Sequence, residues 1–172
     1  DSGWLNAALG ASPDAKGIAL GQSIPLVLRG PVHVGSWSPS RLQGPDADML
    51  ARLAELYKGD PLLERSFSAA RASQSMMEGR PTSGMDGGGG GPVLTLATAA
   101  GQALARSDGP RVATIDFGGW DTHINQLGEY SALTRNLRLL DRSVMALKNA
   151  LGPAWQHTVV LIVSEFGRTV AP

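Results

Sequence analysis

Two short apolar runs, separated by a long leucine stripe, most restrict the fold of this chain. Val112 to Phe117 reads V-A-T-I-D-F, and Thr158 to Val163 reads T-V-V-L-I-V. Continuous runs with β-branched residues suit strands buried on both faces of a parallel sheet. Between them, Leu127, Tyr130, Leu133, Leu137, Leu140, Val144, Leu147 and Leu151 recur at steps of 3, 3, 4, 3, 4, 3 and 4 residues. That spacing predicts one helix from Gln126 to Leu151 whose stripe covers the sheet, with Gly152-Pro153 ending it. Strand, helix and strand together make a β-α-β crossover, and such a crossover joins parallel strands.

The remainder of the chain fits an α/β domain spanning residues 1–172. A short helix is predicted around Trp4 to Gly10. Gly17–Gly21, Pro25–Leu28 and Val32–Trp37 read as strands or extended pieces, with Pro25 and Pro31 favouring edge or loop positions. Asp46 opens a helix through Leu56. Asp60-Pro61 opens another, with Asp as N-cap and Pro at the first helical position, running to Glu78. Pro92 to Arg106 is a further helix, and Asp108-Gly109-Pro110 turns into the first apolar run. Gly79 to Gly91 is low in complexity and reads as a flexible surface loop. Its glycines are followed by Pro-Val rather than Lys-Ser/Thr, so it lacks the phosphate-cradling pattern. No Gly-x-Gly-x-x-Gly follows a strand, which disfavours a dinucleotide-binding oxidoreductase.

Charge and cysteine usage remove other classes. Fifteen basic and fifteen acidic residues leave no net charge, which argues against a nucleic-acid or anionic-membrane binder. No stretch approaches the ~20 apolar residues of a membrane-spanning helix. There are no cysteines, so disulfides, thiol catalysis and cysteine zinc sites are excluded.

Ligands of open α/β sheets bind beyond the carboxyl ends of the strands. Beyond the first run lie Gly118, Gly119, Trp120, Asp121, Thr122 and His123. Beyond the second lie Ser164, Glu165, Phe166, Gly167, Arg168 and Thr169. Parallel strands would bring both clusters to one rim. Asp121 and His123, two apart in an extended loop, project the same way and suit half of a site for a divalent ion (Zn, Mn, Ca or Mg). Glu165 would add a second carboxylate, and Arg168 would bind an anion through its planar fork. The alternative is a structural polar cluster, in which Asp121 caps the next helix and Glu165 neutralises Arg168. His157 precedes its strand and belongs at the opposite end of the sheet, and His33 suits a structural or surface role. Ser164 lacks the Gly-x-Ser-x-Gly of a hydrolase nucleophile and suits a backbone bond. Trp120 suits either packing or a pocket wall.

The segments G-G-W-D-T-H-I-N-Q at Gly118–Gln126 and V-S-E-F-G-R-T at Val163–Thr169 resemble the DUF1501 family, with Ser2-Gly3-Trp4-Leu5 as an earlier point of likeness. That is a family of unknown function related to the sulfatases and the alkaline phosphatase superfamily. The resemblance implies a three-layer α/β/α sandwich with a mostly parallel, alkaline-phosphatase-like sheet and a metal site at the strand ends. Asp121 and His123 resemble the superfamily's Asp-x-x-x-His pair at shorter spacing. Glu165 resembles the Asp of its later Asp-His pair, where this chain has Phe166 instead of His. The implied activity is metal-dependent hydrolysis of small phosphate or sulfate esters. A non-catalytic binding or structural protein on the same scaffold is the alternative, and the oligomeric state is left open. The resemblance further implies a bacterial, exported or periplasmic protein. A Gly-Gly-x-Asp-Gly and a Gly-Thr-Asp-His-Gly motif typical of the family do not occur in the 172 residues, so the chain is expected to be part of a longer protein.

Overall fold

The fold is built outward from β1 (Gly17–Leu20), whose four residues are all buried. The computed structural model describes residues 2–12, 14–40, 44–77, 91–124, 126 and 128–167. β1 lies between β2 (Val34–Trp37) and β3 (Val112–Ile115), and both pairings are parallel. Gly17 faces Val34 on one side and Val112 on the other. The expected mostly parallel sheet is thus present, as a three-stranded one within a mixed α/β fold.

Strand alternation divides the core in two. Ile18 and Leu20 point to the face covered by α4 (Gly91–Leu104), joining Leu96, Ala99, Ala100, Ala103 and Met77. Ala19 points the other way, into a cluster with Leu9, Leu28 and Val34. Leu9 comes from α1 (Trp4–Gly10) and Leu28 from the 3-10 turn Leu26–Leu28. Pro25–Leu28 is therefore a turn rather than an extended piece. Pro25 sits at its N-cap with φ −65°, and the three residues that follow curl to close the small cluster.

A polar residue holds this second layer together. Asn6 is completely buried on α1. Its Nδ2 donates to the carbonyls of Leu28 and Val32, each at 2.8 Å, and its Oδ1 accepts from the Val32 amide at 3.1 Å. A buried carboxamide satisfied in this way fixes the loop that leads into β2.

The helix caps follow the sequence. Asp46 opens α2 (Ala47–Leu56), accepting from Met49 N at 2.7 Å. Asp60 opens α3 (Pro61–Met76), accepting from the amides of Leu62 and Leu63, with Pro61 in the first turn. Each cap satisfies amides that a helix start leaves without partners. The expectation for Gly79–Gly91 falls, except for Gly91, outside the described residues.

The β-α-β expectation is corrected in two places. The crossover helix α5 runs from Ala132 to Leu151, with Ser131 as N-cap, and it packs chiefly on α4. Its close approach is at Gly101, where an added Cβ would lie 2.6 Å from Ala150 Cβ and 2.7 Å from Leu147 O. Within α5 the stripe is best buried at its end, where Leu151 is 2% exposed, and least at Leu137, which is 51% exposed. The second correction concerns Thr158–Val163. After the 3-10 turn Gly152–His157, Thr158 is extended (φ −111°, ψ 133°). Residues 158–163, however, pair with no strand among the described residues. Val159 is 92% and Val163 75% exposed. Branched side chains set the local backbone, but pairing needs a neighbouring edge, which β propensity does not specify.

Candidate functional site

The loop that leaves β3 carries the candidate chemistry, at the carboxyl end of a parallel strand. Beyond Ile115 the chain runs through Asp116 and Phe117, then turns at Gly118-Gly119. Gly119 has φ +89°, a conformation that a side chain would strain. Nothing lies within 4 Å of a Cβ built at Gly118, so that position opens to solvent. Phe117 and Trp120 pack edge to face at 5.0 Å between ring centres, 68° apart. Trp120 therefore takes the packing role.

Asp121 and His123 come together as the i, i+2 spacing suggests. His123 Nε2 lies 2.8 Å from Asp121 Oδ1, and the two side chains are 80% and 68% exposed. The Thr122 amide between them donates to Trp120 O at 2.8 Å. This tight turn places both flanking side chains on one side. Two ligands on one tetrahedral ion, with bonds of about 2.0–2.2 Å, stand about 3.4 Å apart. The observed pair is near that separation, so an ion would enter by parting the groups a few tenths of an ångström. His123 would then carry its proton on Nδ1, leaving Nε2 to bind.

The loop is tied down at several points. Asn136, on the outer part of α5's second turn, donates from Nδ2 to Gly119 O at 2.5 Å. Gln126 Nε2 contacts Thr122 O and lies 3.2 Å from Thr122 Oγ1. Ser131 Oγ accepts from Thr134 N at 3.0 Å and donates to Gln126 O at 3.2 Å. Thr134 Oγ1 donates to Gly128 O at 3.0 Å. The start of α5 thus serves as an anchor for the loop.

Glu165, the other expected ligand among the described residues, does not gather with this pair. Glu165 follows the unpaired 158–163 segment and is exposed. Among the described residues no three of His, Cys, Asp and Glu gather as a ligand set. Arg168 lies outside the described residues. Ser164 makes the expected backbone bond, its Oγ accepting from Phe166 N at 3.0 Å. His157 is in the 3-10 turn after α5 and His33 is exposed just before β2, both away from the loop in sequence and in element. Asn136 was not legible as part of the site. Its only signal is a carboxamide lying between Leu133 and Leu140, and Asn149 puts a second carboxamide on the same helix.

A cavity of about 200 Å³ is lined by Lys16, Ala72, Ser75, Met76, Arg106 and Asp108. Lys16 precedes β1, so the cavity is at the opposite end of the sheet and shares no residue with the loop. Arg106 there binds Asp108 through two hydrogen bonds of 2.9 and 2.8 Å. These bonds hold the Asp108 carboxyl below the usual aspartate range. No described helix is long and apolar enough to cross a membrane.

No curated protein and no solved structure matches the chain. One family profile does, over residues 3–171, and its description is a protein of unknown function, DUF1501.

Proposed function

The chain belongs to the DUF1501 family, and from that premise and the Asp121–His123 pair we propose that the protein is a metal-dependent hydrolase of phosphate or sulfate esters. The scaffold would be of the alkaline-phosphatase type, exported in bacteria. The observation that carries the proposal is the 2.8 Å approach of an exposed carboxylate and an exposed imidazole just beyond a parallel strand. Asp121 and His123 hold the ion. Glu165 would supply a third ligand where the run before it, unpaired among the described residues, comes to lie beside β3. Arg168, three residues further on, binds the anionic ester through its fork of donors. A bound divalent ion supplies Lewis acidity toward the ester oxygen and a more acidic water. Gly118 leaves open space beside the turn that leads to the pair.

A second reading, a non-catalytic binding or structural protein, is favoured by Phe166, which stands where the superfamily's later Asp-His pair has its histidine. One experiment separates the two. Purified protein is assayed for bound metal by mass spectrometry and for hydrolysis of aryl phosphates and aryl sulfates. Stoichiometric metal and hydrolysis, both lost in Asp121→Ala, support the hydrolase. Metal content that Asp121→Ala leaves unchanged, or no metal at all, overturns it.

A further inference from the structure

We propose that Asn136 is a positioning residue for the Asp121–His123 pair, pinning the loop to α5 before any ion arrives. The inference rests on the metal-site proposal above and adds to it a group outside the ligand set.

The geometry has three parts. Gly119, at φ +89°, is the turn from which the pair departs. Its carbonyl accepts from Asn136 Nδ2, 17 residues on. The tether therefore reaches the loop two residues before Asp121, from a regular element rather than from the loop itself. That element is itself held. α5 is pressed against α4 at Gly101, where Ala150 and Leu147 leave no room for a Cβ. On the far side of the pair, Gln126 contacts the Thr122 carbonyl and hydroxyl, and Ser131 accepts from the Thr134 amide while donating to Gln126 O. The backbone of the pair is thus held at Gly119 and at Thr122, and Asn136 is the direct one-bond link from Gly119 to α5, while Gln126 reaches the helix start through Ser131.

The position is also selective for what Asn136 does. A Cβ on Gly119 would meet Asn136 Nδ2 at 3.0 Å, so the carboxamide fits closely against a glycine. With Asp121 and His123 both largely exposed, neighbouring packing does little to orient them. Orientation has to come through the backbone, and the Gly119 carbonyl is where the helix grips it. Groups that orient metal ligands from behind typically change metal affinity by about 10–100-fold when removed.

The test compares wild type, Asn136→Leu and Asp121→Ala in two measurements. Leucine keeps asparagine's branching, is bulkier, and removes the donor. Asn136→Ala serves as a second variant should leucine disturb the helix face. The first measurement is Zn²⁺ affinity by competition titration. Expected is one ion bound by wild type, none by Asp121→Ala, and about 10–100-fold weaker binding by Asn136→Leu, with the helical circular dichroism of the whole protein retained. Affinity within threefold of wild type in both Asn136 variants overturns the positioning role while leaving the metal site standing. Failure of wild type to bind Zn²⁺ overturns the metal site itself. The second measurement is amide hydrogen exchange at residues 120–123 in metal-free protein, which is independent of the ion. Faster exchange in the Asn136 variants sustains the tether, and unchanged exchange overturns it.

Discussion

Asn6→Ala tests most directly the physical account of the layer beneath β1. The carboxamide is fully buried and makes three hydrogen bonds, to Leu28 O, Val32 O and Val32 N. The bond to Leu28 is wholly buried, whereas those to Val32 are partly so. Removing the side chain orphans the Leu28 carbonyl, at about 1–3 kcal/mol. The two Val32 groups can regain water, so each loses only the net value of its bond, about 0.5–1.5 kcal/mol. The total comes to about 4 kcal/mol. For a chain of this length that corresponds to a midpoint about 8–16 °C lower. Urea unfolding followed by tryptophan fluorescence reads the change, with an unaltered slope showing that stability rather than the unfolded state has moved. Asn6→Asp is the companion. It keeps the shape and the acceptor for Val32 N, yet turns an oxygen toward two carbonyls, and it is expected to cost at least as much as alanine. If both variants lose less than about 1 kcal/mol, Asn6 does not organise this layer, and the Leu28–Val32 loop is held by apolar packing alone.

Gly101→Ala sets helix propensity against contact. Alanine gains about 1 kcal/mol of intrinsic helix preference, while overpacking typically costs about 1–3 kcal/mol. With Ala150 Cβ and Leu147 O both inside 3 Å of the new methyl, contact wins and the protein is destabilised by about 1 kcal/mol; a stabilised variant would show that α5 does not press on α4. The Asp108 carboxyl, lowered by its two bonds from Arg106, is expected to titrate below ordinary aspartates by NMR, and Arg106→Gln to raise it. Because the folded value is the depressed one, any stabilisation from the pair is complete above the unfolded value and lost as pH falls through the folded one. A wild-type carboxyl that titrates together with the exposed aspartates would contradict this.

The sequence was most informative where local chemistry decides the structure. Asp46 and Asp60 cap helices because a carboxylate one residue ahead of a helix meets unpaired amides whatever surrounds it. Asp121 and His123 meet because a two-residue spacing in a tight turn is a local matter. Partner choice was harder to read. The periodicity of Leu133 to Leu151 shows that one face is apolar, but not that α4 rather than the sheet receives it. Pro25–Leu28 carries the residues of an extended piece and curls because a turn is needed to bury Leu28. Thr158–Val163 has the composition of a buried strand, and its pairing depends on an edge elsewhere that composition cannot name. Asn136 reads as one polar residue among many, since its role depends on where Gly119 presents a carbonyl.

The uncovered run after α5 has a practical side. Six residues without a charge, a proline or a glycine, five of them β-branched, are what fibril-forming segments are made of. Wherever Val159 to Val163 stay in water, the backbone beside them offers free donors and acceptors to any like segment that drifts near. Preparations that leave this run bare will therefore precipitate as concentration rises, and a lysine at Val159 or Leu161 should keep them in solution without touching the β3 loop.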